Sequence, residues 1–151
     1  MAKKYAYGVC LYKIEDNDIK ILLCKSVKSF NKWGCLKGVK CSNETAHECA
    51  KREFFEESNI KVEISDFEEY FDQVNLEKDI GIWLINANKV ADLDHYFLED
   101  RLLDNNLSWE NSKVKFFSIF KLPNIRTKQI KLIDNITDFL QNKHQFHQQY
   151  L

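Results

Sequence analysis

The apolar residues in the first third of the chain repeat with the periods of strands and then of a helix. Residues 5–14 alternate large apolar side chains with smaller ones, which predicts a half-buried strand, and residues 19–24 form a run typical of a buried strand. The polar residues 15–18 between them predict a hairpin turn. Thr45 and Glu48 fit a capping box, with threonine at the N-cap and glutamate at N3, and predict a helix over residues 46–58.

The rest of the chain is predicted to add further strands and a second helix. Strands are predicted at residues 61–64, 67–74, 80–87 and 114–119. The run at 80–87 is nearly all apolar, as in a central strand, whereas residues 88–106 show only partial helical spacing and stay ambiguous. Residues 124–141 carry apolar side chains at helical spacing, which predicts an amphipathic helix that closes on the sheet. Two helices and about seven strands predict one α/β domain over residues 1–151.

The composition is that of a globular protein without a membrane segment. The 151 residues are 44% hydrophobic and 13% aromatic, with one proline and four glycines, so no disordered linker is indicated. No apolar run approaches a membrane span, and the N-terminus lacks a signal-peptide core. Five cysteines without CxxC spacing, three of them in apolar contexts (Cys10, Cys24 and Cys49), predict reduced thiols and a cytoplasmic protein. The two histidines within residues 144–147 are expected to lie in a frayed polar end rather than in a metal site.

The charges are distributed unevenly although the formal net charge is only −1. Residues 19–43 contain six lysines and no acid, residues 44–110 contain 18 acids against six bases, and residues 111–133 again contain six bases and no acid. An acidic metal centre between two basic segments suits a polyphosphate substrate, which the cations attract and the metal holds. The alternative is that these are solubility charges that happen to cluster.

Three glutamates of the predicted helix are spaced for one face of it. Glu53, Glu56 and Glu57 stand at i, i+3 and i+4. Like charges at this spacing destabilise a helix by roughly 0.2–0.5 kcal/mol per pair. A hard divalent cation reverses that effect, and Mg²⁺ prefers one or two carboxylates together with waters and substrate phosphates. The pattern therefore indicates a metal–phosphate site, and the alternative is a solvated acidic face.

The spacing of residues around this helix resembles the Nudix box of the Nudix hydrolases. The positions that match the box are Gly38, Glu44, Arg52, Glu53, Phe54, Glu56, Glu57 and Ile60. One position departs, because Asn59 stands where the family usually has glycine; asparagine is the next most tolerant residue for the left-handed turn expected there. The resemblance implies an α/β/α fold, in which a mixed sheet lies between helices and the box forms a loop–helix–loop on it.

The resemblance also implies a reaction and a set of site residues. Nudix enzymes hydrolyse a nucleoside diphosphate linked to a further group X, with Mg²⁺ or Mn²⁺ as the cofactor. The implied metal ligands are the carboxylates of Glu53, Glu56 and Glu57 and the carbonyl of Gly38. Glu53, Glu57 and Arg52 are the implied catalytic residues, with Glu53 favoured as the general base. Arg52 is expected to orient the carboxylates rather than to touch substrate, and Glu44 is expected to be structural.

Candidates outside the helix concern an additional acid and the substrate. Many family members use an acid from a distant loop, and Glu110 is the first choice for this metal ligand, with Glu99 in reserve; the alternative is that both are surface acids. Trp33 is expected either to contact a nucleobase or to anchor the core. Lys37 is expected either to contact phosphate or to be solvated.

The substrate is expected to be a nucleotide polyphosphate. Residues 33–38 resemble the aromatic-x-x-Pro-Lys/Gln-Gly lead-in of RNA pyrophosphohydrolases and diadenosine polyphosphate hydrolases, with Leu36 in place of the proline. Together with the basic segments, this lead-in favours a dinucleoside polyphosphate or a 5′-triphosphate RNA end. Two alternatives stay open, namely a pyrophosphatase that removes damaged nucleoside triphosphates and a non-catalytic nucleotide-binding module.

Overall fold

The protein is described from a computed structural model that covers residues 2–28 and 30–149, with side chains described as far as residue 144. Within these residues the chain forms one mixed sheet of nine strands and two α-helices. The strands are β1 (Lys4–Glu15), β2 (Asp18–Ser26), β3 (Trp33–Gly34), β4 (Leu36–Val39), β5 (Tyr70–Gln73), β6 (Lys78–Asn86), β7 (Phe97–Leu98), β8 (Arg101–Leu102) and β9 (Asn111–Ser118). The helices are α1 (Ala46–Ser58) and α2 (Ile130–Gln149).

The sheet is built around the first strand. Its order is β5-β6-β1-β2-β9-β8-β7, while β3 pairs with β2 and β4 pairs with β1. β1 and β2 form the predicted hairpin, whose turn residues Asp16 and Asn17 both have positive φ. β1 and β6 run parallel, so the predicted apolar strand at 80–87 lies in the interior of the sheet rather than at an edge.

Each face of the sheet is covered by a helix, as the predicted α/β/α arrangement requires. On one face Cys10 and Tyr12 of β1 pack in the same cluster as Ile133 of α2. On the other face Val9 and Leu11 pack in the same cluster as α1. The prediction of a half-buried first strand was therefore wrong, because the middle of β1 is buried on both faces and only its ends are exposed.

Helix α1 has the predicted limits because local signals fix both of its ends. Thr45 accepts a hydrogen bond from the Glu48 N–H at 3.1 Å, and the Glu48 carboxylate accepts one from the Thr45 N–H at 2.8 Å, which completes the predicted capping box. At the other end Asn59 takes the left-handed conformation, with φ 64° and ψ 14°. Its N–H donates to the Phe55 carbonyl at 2.8 Å and closes the last turn.

Two predicted segments differ from the structure, and the segment 88–106 is ambiguous in the sequence, because strand pairing and turns depend on distant residues. Residues 61–64 are not a strand; they lead into a 3₁₀ turn at Ile64–Asp66, and pairing with β6 begins only where Glu68 and Glu69 exchange hydrogen bonds with Leu84. The strand predicted at 67–74 shortens to β5, and the ambiguous segment 88–106 holds short 3₁₀ turns and the β7–β8 hairpin.

The C-terminal helix is displaced along the chain relative to its prediction. Residues 124–126 are extended, because the Asn124 carbonyl accepts from the Trp33 N–H at 2.8 Å and the Arg126 N–H donates to the Trp33 carbonyl at 3.0 Å. Helix α2 therefore begins at Ile130 and continues to Gln149, beyond the predicted end at 141. The prediction for the side chain of His147 lies outside the described residues. No helix in the described part of the chain is long and apolar enough to cross a membrane.

The end of α1 can be tested at Asn59. Asn59→Ala should lower the free energy of unfolding by about 1–2 kcal/mol, because alanine pays the full cost of a left-handed conformation. Asn59→Gly should stay within about 0.5 kcal/mol of the wild type, because glycine adopts this conformation freely. Urea denaturation of both variants measures the difference. Asn106→Ala is the control, because it removes only the 3.0 Å side-chain hydrogen bond between Asn59 and Asn106; equal losses in all three variants would contradict the backbone explanation.

Candidate active site

The last turns of α1 carry a buried carboxylate into a small polar pocket. The Glu57 side chain is 8% exposed, and its Oε2 atom is buried without a hydrogen-bond partner among the residues that the structure describes. The pocket beside it has a volume of about 190 Å³. Its walls are formed by Cys24, Ser26, Cys35, Lys37, Glu57, Glu110, Asn111 and Arg126.

The charge of Glu57 is destabilised by this environment. Burial is the largest cause that raises the pKa of Glu57 to about 8; Lys37 opposes the increase, and the nearby Glu53 and Glu110 add to it. A carboxylate that is buried beside two other carboxylates needs a positive partner to keep its charge near neutral pH. The carboxylates that line this pocket therefore favour a nearby cation.

Glu53 lies against the glycine at the start of the box. A Cβ atom built on Gly38 would overlap the Glu53 carboxylate, so this position has to be glycine for the carboxylate to lie there. Burial, the largest cause, raises the pKa of Glu53. The Gly38 carbonyl is 3.4 Å from the Cys49 Sγ atom, which donates to it. Strand β4 and helix α1 thus bring the predicted backbone ligand and the predicted base side by side.

Arg52 connects three carboxylates of the site through one guanidinium group. Its Nε and Nη2 atoms bind both carboxylate oxygens of Glu44, at 2.9 and 2.7 Å. Its Nη1 atom donates to Glu53 at 2.9 Å and to Glu56 at 3.1 Å. The Arg52 hydrogen bonds are the main cause that lowers the pKa of Glu44 to about 2. Arg52 is thus positioned to orient the carboxylates, and Glu44 holds Arg52.

The donor set of these residues suits a hard divalent cation. Glu53, Glu56, Glu57 and the Gly38 carbonyl offer only oxygen, which Mg²⁺ and Mn²⁺ prefer. Among the described residues, the structure contains no group of three or more Asp, Glu, His or Cys side chains arranged to hold a metal ion. Instead Arg52 binds Glu53 and Glu56, and Glu57 faces the pocket. The buried, unpartnered Oε2 of Glu57 is the observation by which these residues fit a metal ion.

The remaining predicted residues fall into two places. Lys37 and Glu110 both line the Glu57 pocket. Trp33 is 8% exposed and packs edge-on against Phe117 with ring centroids 4.7 Å apart, a core position. Only part of Trp33 borders a separate cleft of about 570 Å³, which Glu99 also lines. The structure therefore brings Glu110, not Glu99, to the carboxylates of α1.

Five of the eight pocket residues were not found from the sequence. Two of them, Arg126 and Asn111, carry buried donor atoms without a partner among the described residues. Arg126 is the single arginine within the basic segment 111–133, and Asn111 directly follows the predicted acid Glu110. These were the available signals, but the sequence pattern does not show where a loop residue between a strand and a helix lies.

Comparison with known proteins places this arrangement in a family. A family model described as the NUDIX domain matches residues 4–136. A structure of a C. elegans Ap4A hydrolase is similar over 95% of this chain and 96% of its own, with a TM-score of 0.58 and 20% identity. The structure of a NUDIX hydrolase from Nitrosomonas europaea is similar over 96% of this chain and 74% of its own, with a TM-score of 0.63 and 21% identity.

A third solved structure widens the range of similar proteins. An ADP-ribose pyrophosphatase from Streptococcus suis gives a TM-score of 0.61 and 15% identity, covering 91% of each chain. At these identities the likeness to the three structures establishes the fold alone. A search of curated proteins found no match.

The pairing of Glu44 with Arg52 predicts a pH-dependent contribution to stability. Glu44→Gln should lower the free energy of unfolding by about 1–2 kcal/mol at pH 7, because it weakens charge-assisted hydrogen bonds. The folded pKa of Glu44 lies below its ordinary value, so this contribution is complete above pH 5 and is lost as the pH falls toward 2. Urea denaturation of both proteins between pH 3 and 7 measures the difference. The control is Glu69→Gln, an exposed acid outside the network; a difference independent of pH would contradict the prediction.

Proposed function

Because this chain belongs to the Nudix family of pyrophosphohydrolases, we propose that it hydrolyses a phosphoanhydride bond in a nucleoside diphosphate linked to a further group. The observation that carries the proposal is the buried Glu57 carboxylate, whose Oε2 has no partner among the described residues. Residues 4–136 match the family model, and Gly38, Arg52, Glu53 and Glu57 match the box. We further propose that residues 1–151 act as one domain; the cytoplasmic location stays a prediction.

The proposed metal site consists of the carboxylates of Glu53, Glu56 and Glu57 and the carbonyl of Gly38. A bound Mg²⁺ or Mn²⁺ ion would neutralise the charge of the phosphoanhydride and make water a better nucleophile. Glu57 would be deprotonated in this state, since a cation offsets the burial that raises its pKa. Arg52 keeps the carboxylates oriented, because it is held in turn by two hydrogen bonds to Glu44.

In the proposed reaction the protein supplies a proton acceptor and positions the reacting groups. Glu53 accepts a proton from the attacking water; the water oxygen bonds to phosphorus, the bridging P–O bond breaks, and the leaving phosphate departs with its electron pair. Two properties support Glu53 as the base: burial raises its pKa, and Arg52 holds one of its oxygens at 2.9 Å. Glu110 is proposed as the additional acid, because it lines the same pocket as Glu57.

The proposed substrate carries several phosphates, as in a dinucleoside polyphosphate or a 5′-triphosphate RNA end. Lys37 and Arg126 line the pocket, and both belong to segments that contain bases and no acids. Similar structures include an enzyme named for Ap4A and one named for ADP-ribose. Two alternatives give different outcomes in the same assay: a sanitising enzyme would prefer damaged nucleoside triphosphates, and a binding module would hydrolyse nothing.

The decisive experiment is a substrate screen with a metal control and one variant. Nucleoside triphosphates, dinucleoside polyphosphates, ADP-ribose and triphosphate RNA are incubated with Mg²⁺, and hydrolysis in ¹⁸O-labelled water locates the bond that is cut. We expect EDTA to abolish hydrolysis and Mg²⁺ or Mn²⁺ to restore it. Glu57→Gln should lower kcat by at least about a hundredfold with the fold retained, because the metal supplies several kcal/mol of transition-state stabilisation. Glu69→Gln should behave as the wild type; activity that survives chelation would contradict the proposal.

The additional acid can be separated from its reserve candidate. Glu110→Gln should lower kcat by about tenfold to a hundredfold, because Glu110 lines the same pocket as Glu57 and is proposed to act there as an additional acid. Glu99→Gln is the matched control, since Glu99 lines the other cleft, and it should change kcat by less than about twofold. Steady-state kinetics and a thermal melt are measured for both variants. Equal kinetics for the two variants would reduce Glu110 to a surface acid.

A further inference from the structure

Two residues that line the Glu57 pocket present hydrogen-bond donors without an acceptor among the described residues. The Nε and Nη2 atoms of Arg126 and the Nδ2 atom of Asn111 are buried, and none has a hydrogen-bond partner among the residues that the structure describes. Leaving a buried donor unpaired is unfavourable, and more so for a charged group, so such donors are rare in folded proteins. Donors that face a pocket are satisfied when the pocket takes up an acceptor.

Both side chains are carried by fixed backbone rather than by a free loop. The Arg126 N–H donates to the Trp33 carbonyl at 3.0 Å, and the Arg126 carbonyl accepts from the Gln129 N–H at 2.9 Å. Gln129 is itself buried and accepts from the Cys35 N–H at 2.7 Å. Asn111 is 6% exposed and lies opposite Ser26 at the start of β9. The donors are therefore preorganised, which lowers the entropy cost of binding a ligand.

The geometry of the free guanidinium edge indicates which acceptor it suits. Nε and Nη2 are the two atoms through which Arg52 binds both oxygens of Glu44 in this same protein. The same edge of Arg126 has no partner among the described residues. Two parallel N–H groups match the paired oxygens of a carboxylate or a phosphate. The pocket, about 190 Å³ in volume, leaves room for a group of that size.

The charges nearby distinguish between these two anions. Lys37 and Arg126 line the same pocket, and their positive charge also reaches Lys78: the pKa of Lys78 is lowered, with Lys37 as the largest cause, followed by burial, Lys128, Lys4 and Arg126. Lys4 and Lys78 also lie opposite each other in the β1–β6 ladder. A group of positive charges that repel one another binds a multiply charged chain better than a single carboxylate. Phosphate also keeps oxygens free for a cation at the Glu57 wall.

We propose that Arg126 and Asn111 form a phosphate subsite beside the Glu57 carboxylate, and that Lys37, which lines the same pocket, contacts the next phosphate of a polyphosphate chain. This inference rests on the proposed function, and it assigns recognition of the phosphate chain to residues outside α1. Arg126 binds and positions substrate here and exchanges no proton.

The subsite is tested by binding of inorganic tripolyphosphate in the presence of Mg²⁺, measured by calorimetry. Arg126→Gln should weaken binding by at least tenfold, and Asn111→Ala by a smaller factor. Arg126→Lys, which keeps the charge but loses the paired donors, should recover only part of the loss. The matched control is Lys121→Gln, an exposed residue of the same loop that loses the same charge, and it should change binding by less than twofold.

Stability provides a second measurement on the same variants. Because Arg126 Nε and Nη2 have no partner to lose among the described residues, Arg126→Gln should melt no lower than the wild type. A clear drop in its melting temperature would overturn the proposal, since the side chain would then be a structural one. Wild-type protein that does not bind tripolyphosphate, or equal binding by Arg126→Gln, would also overturn it.

The subsite and the proposed function can fail separately. Tripolyphosphate binding that depends on Arg126, in a protein that hydrolyses no nucleotide, would support the subsite and refute the enzyme. Hydrolysis with KM and tripolyphosphate binding unchanged in Arg126→Gln would support the enzyme and refute the subsite. When both hold, Arg126→Gln should raise KM for a polyphosphate substrate.

Discussion

The burial of the Glu57 carboxylate is the constraint on which the site depends. Phe54 and Ser58, on the same side of α1, are fully buried against the sheet, so the turn that packs the helix also draws Glu57 inward. Ser58 satisfies its own hydroxyl by donating to the Phe54 carbonyl at 2.6 Å, whereas Glu57 Oε2 has no partner among the described residues. A buried charge costs several kcal/mol unless it is paired. The packing of α1 offsets that cost, and a ligand removes it.

Arg52 offsets a different electrostatic cost, the repulsion between neighbouring carboxylates of α1. Glu53 and Glu56 are like charges one turn apart, and Arg52 reaches both of them. Arg52 can do this because Glu44, ahead of the helix, fixes the other edge of its guanidinium. The loop from β4 to α1 thus carries the anchor and the helix carries the acids. Any change in how Glu44 holds Arg52 therefore alters the positions of two proposed metal ligands.

The features that were predictable from the sequence are those with local causes. Thr45, Glu48 and Asn59 set the limits of α1 through hydrogen bonds within a few residues, and those limits matched. The hairpin of β1 and β2 was likewise readable from its turn. The spacing of the box also identified Glu57, although only the fold shows that it is buried. The prediction of a strand at 61–64 was wrong because β6 pairs with the chain only from Glu68 onward. Where two strands pair depends on both of them, and the sequence of one segment does not show it.

The position of Arg126 in the pocket could not be predicted from the sequence. Arg126 reaches the pocket because the backbone of residues 124–126 pairs with Trp33, about ninety residues earlier in the chain. The same pairing keeps Trp33 in the core, which explains why an aromatic next to the box packs rather than faces solvent.

The pocket is lined by two kinds of polar group, carboxylates and hydrogen-bond donors. Glu57 and Glu110 bring negative charge to the pocket, and Arg126 and Asn111 bring hydrogen-bond donors, yet no hydrogen bond joins these two pairs among the described residues. Direct pairing of the two sets would leave neither free for a ligand. Glu57 is carried by α1 and Arg126 by the loop that pairs with Trp33, whereas Glu110 and Asn111 are consecutive residues at the start of β9. A cation would pair with the carboxylates and a phosphate would pair with the donors. We therefore expect each of these two ligands to favour binding of the other.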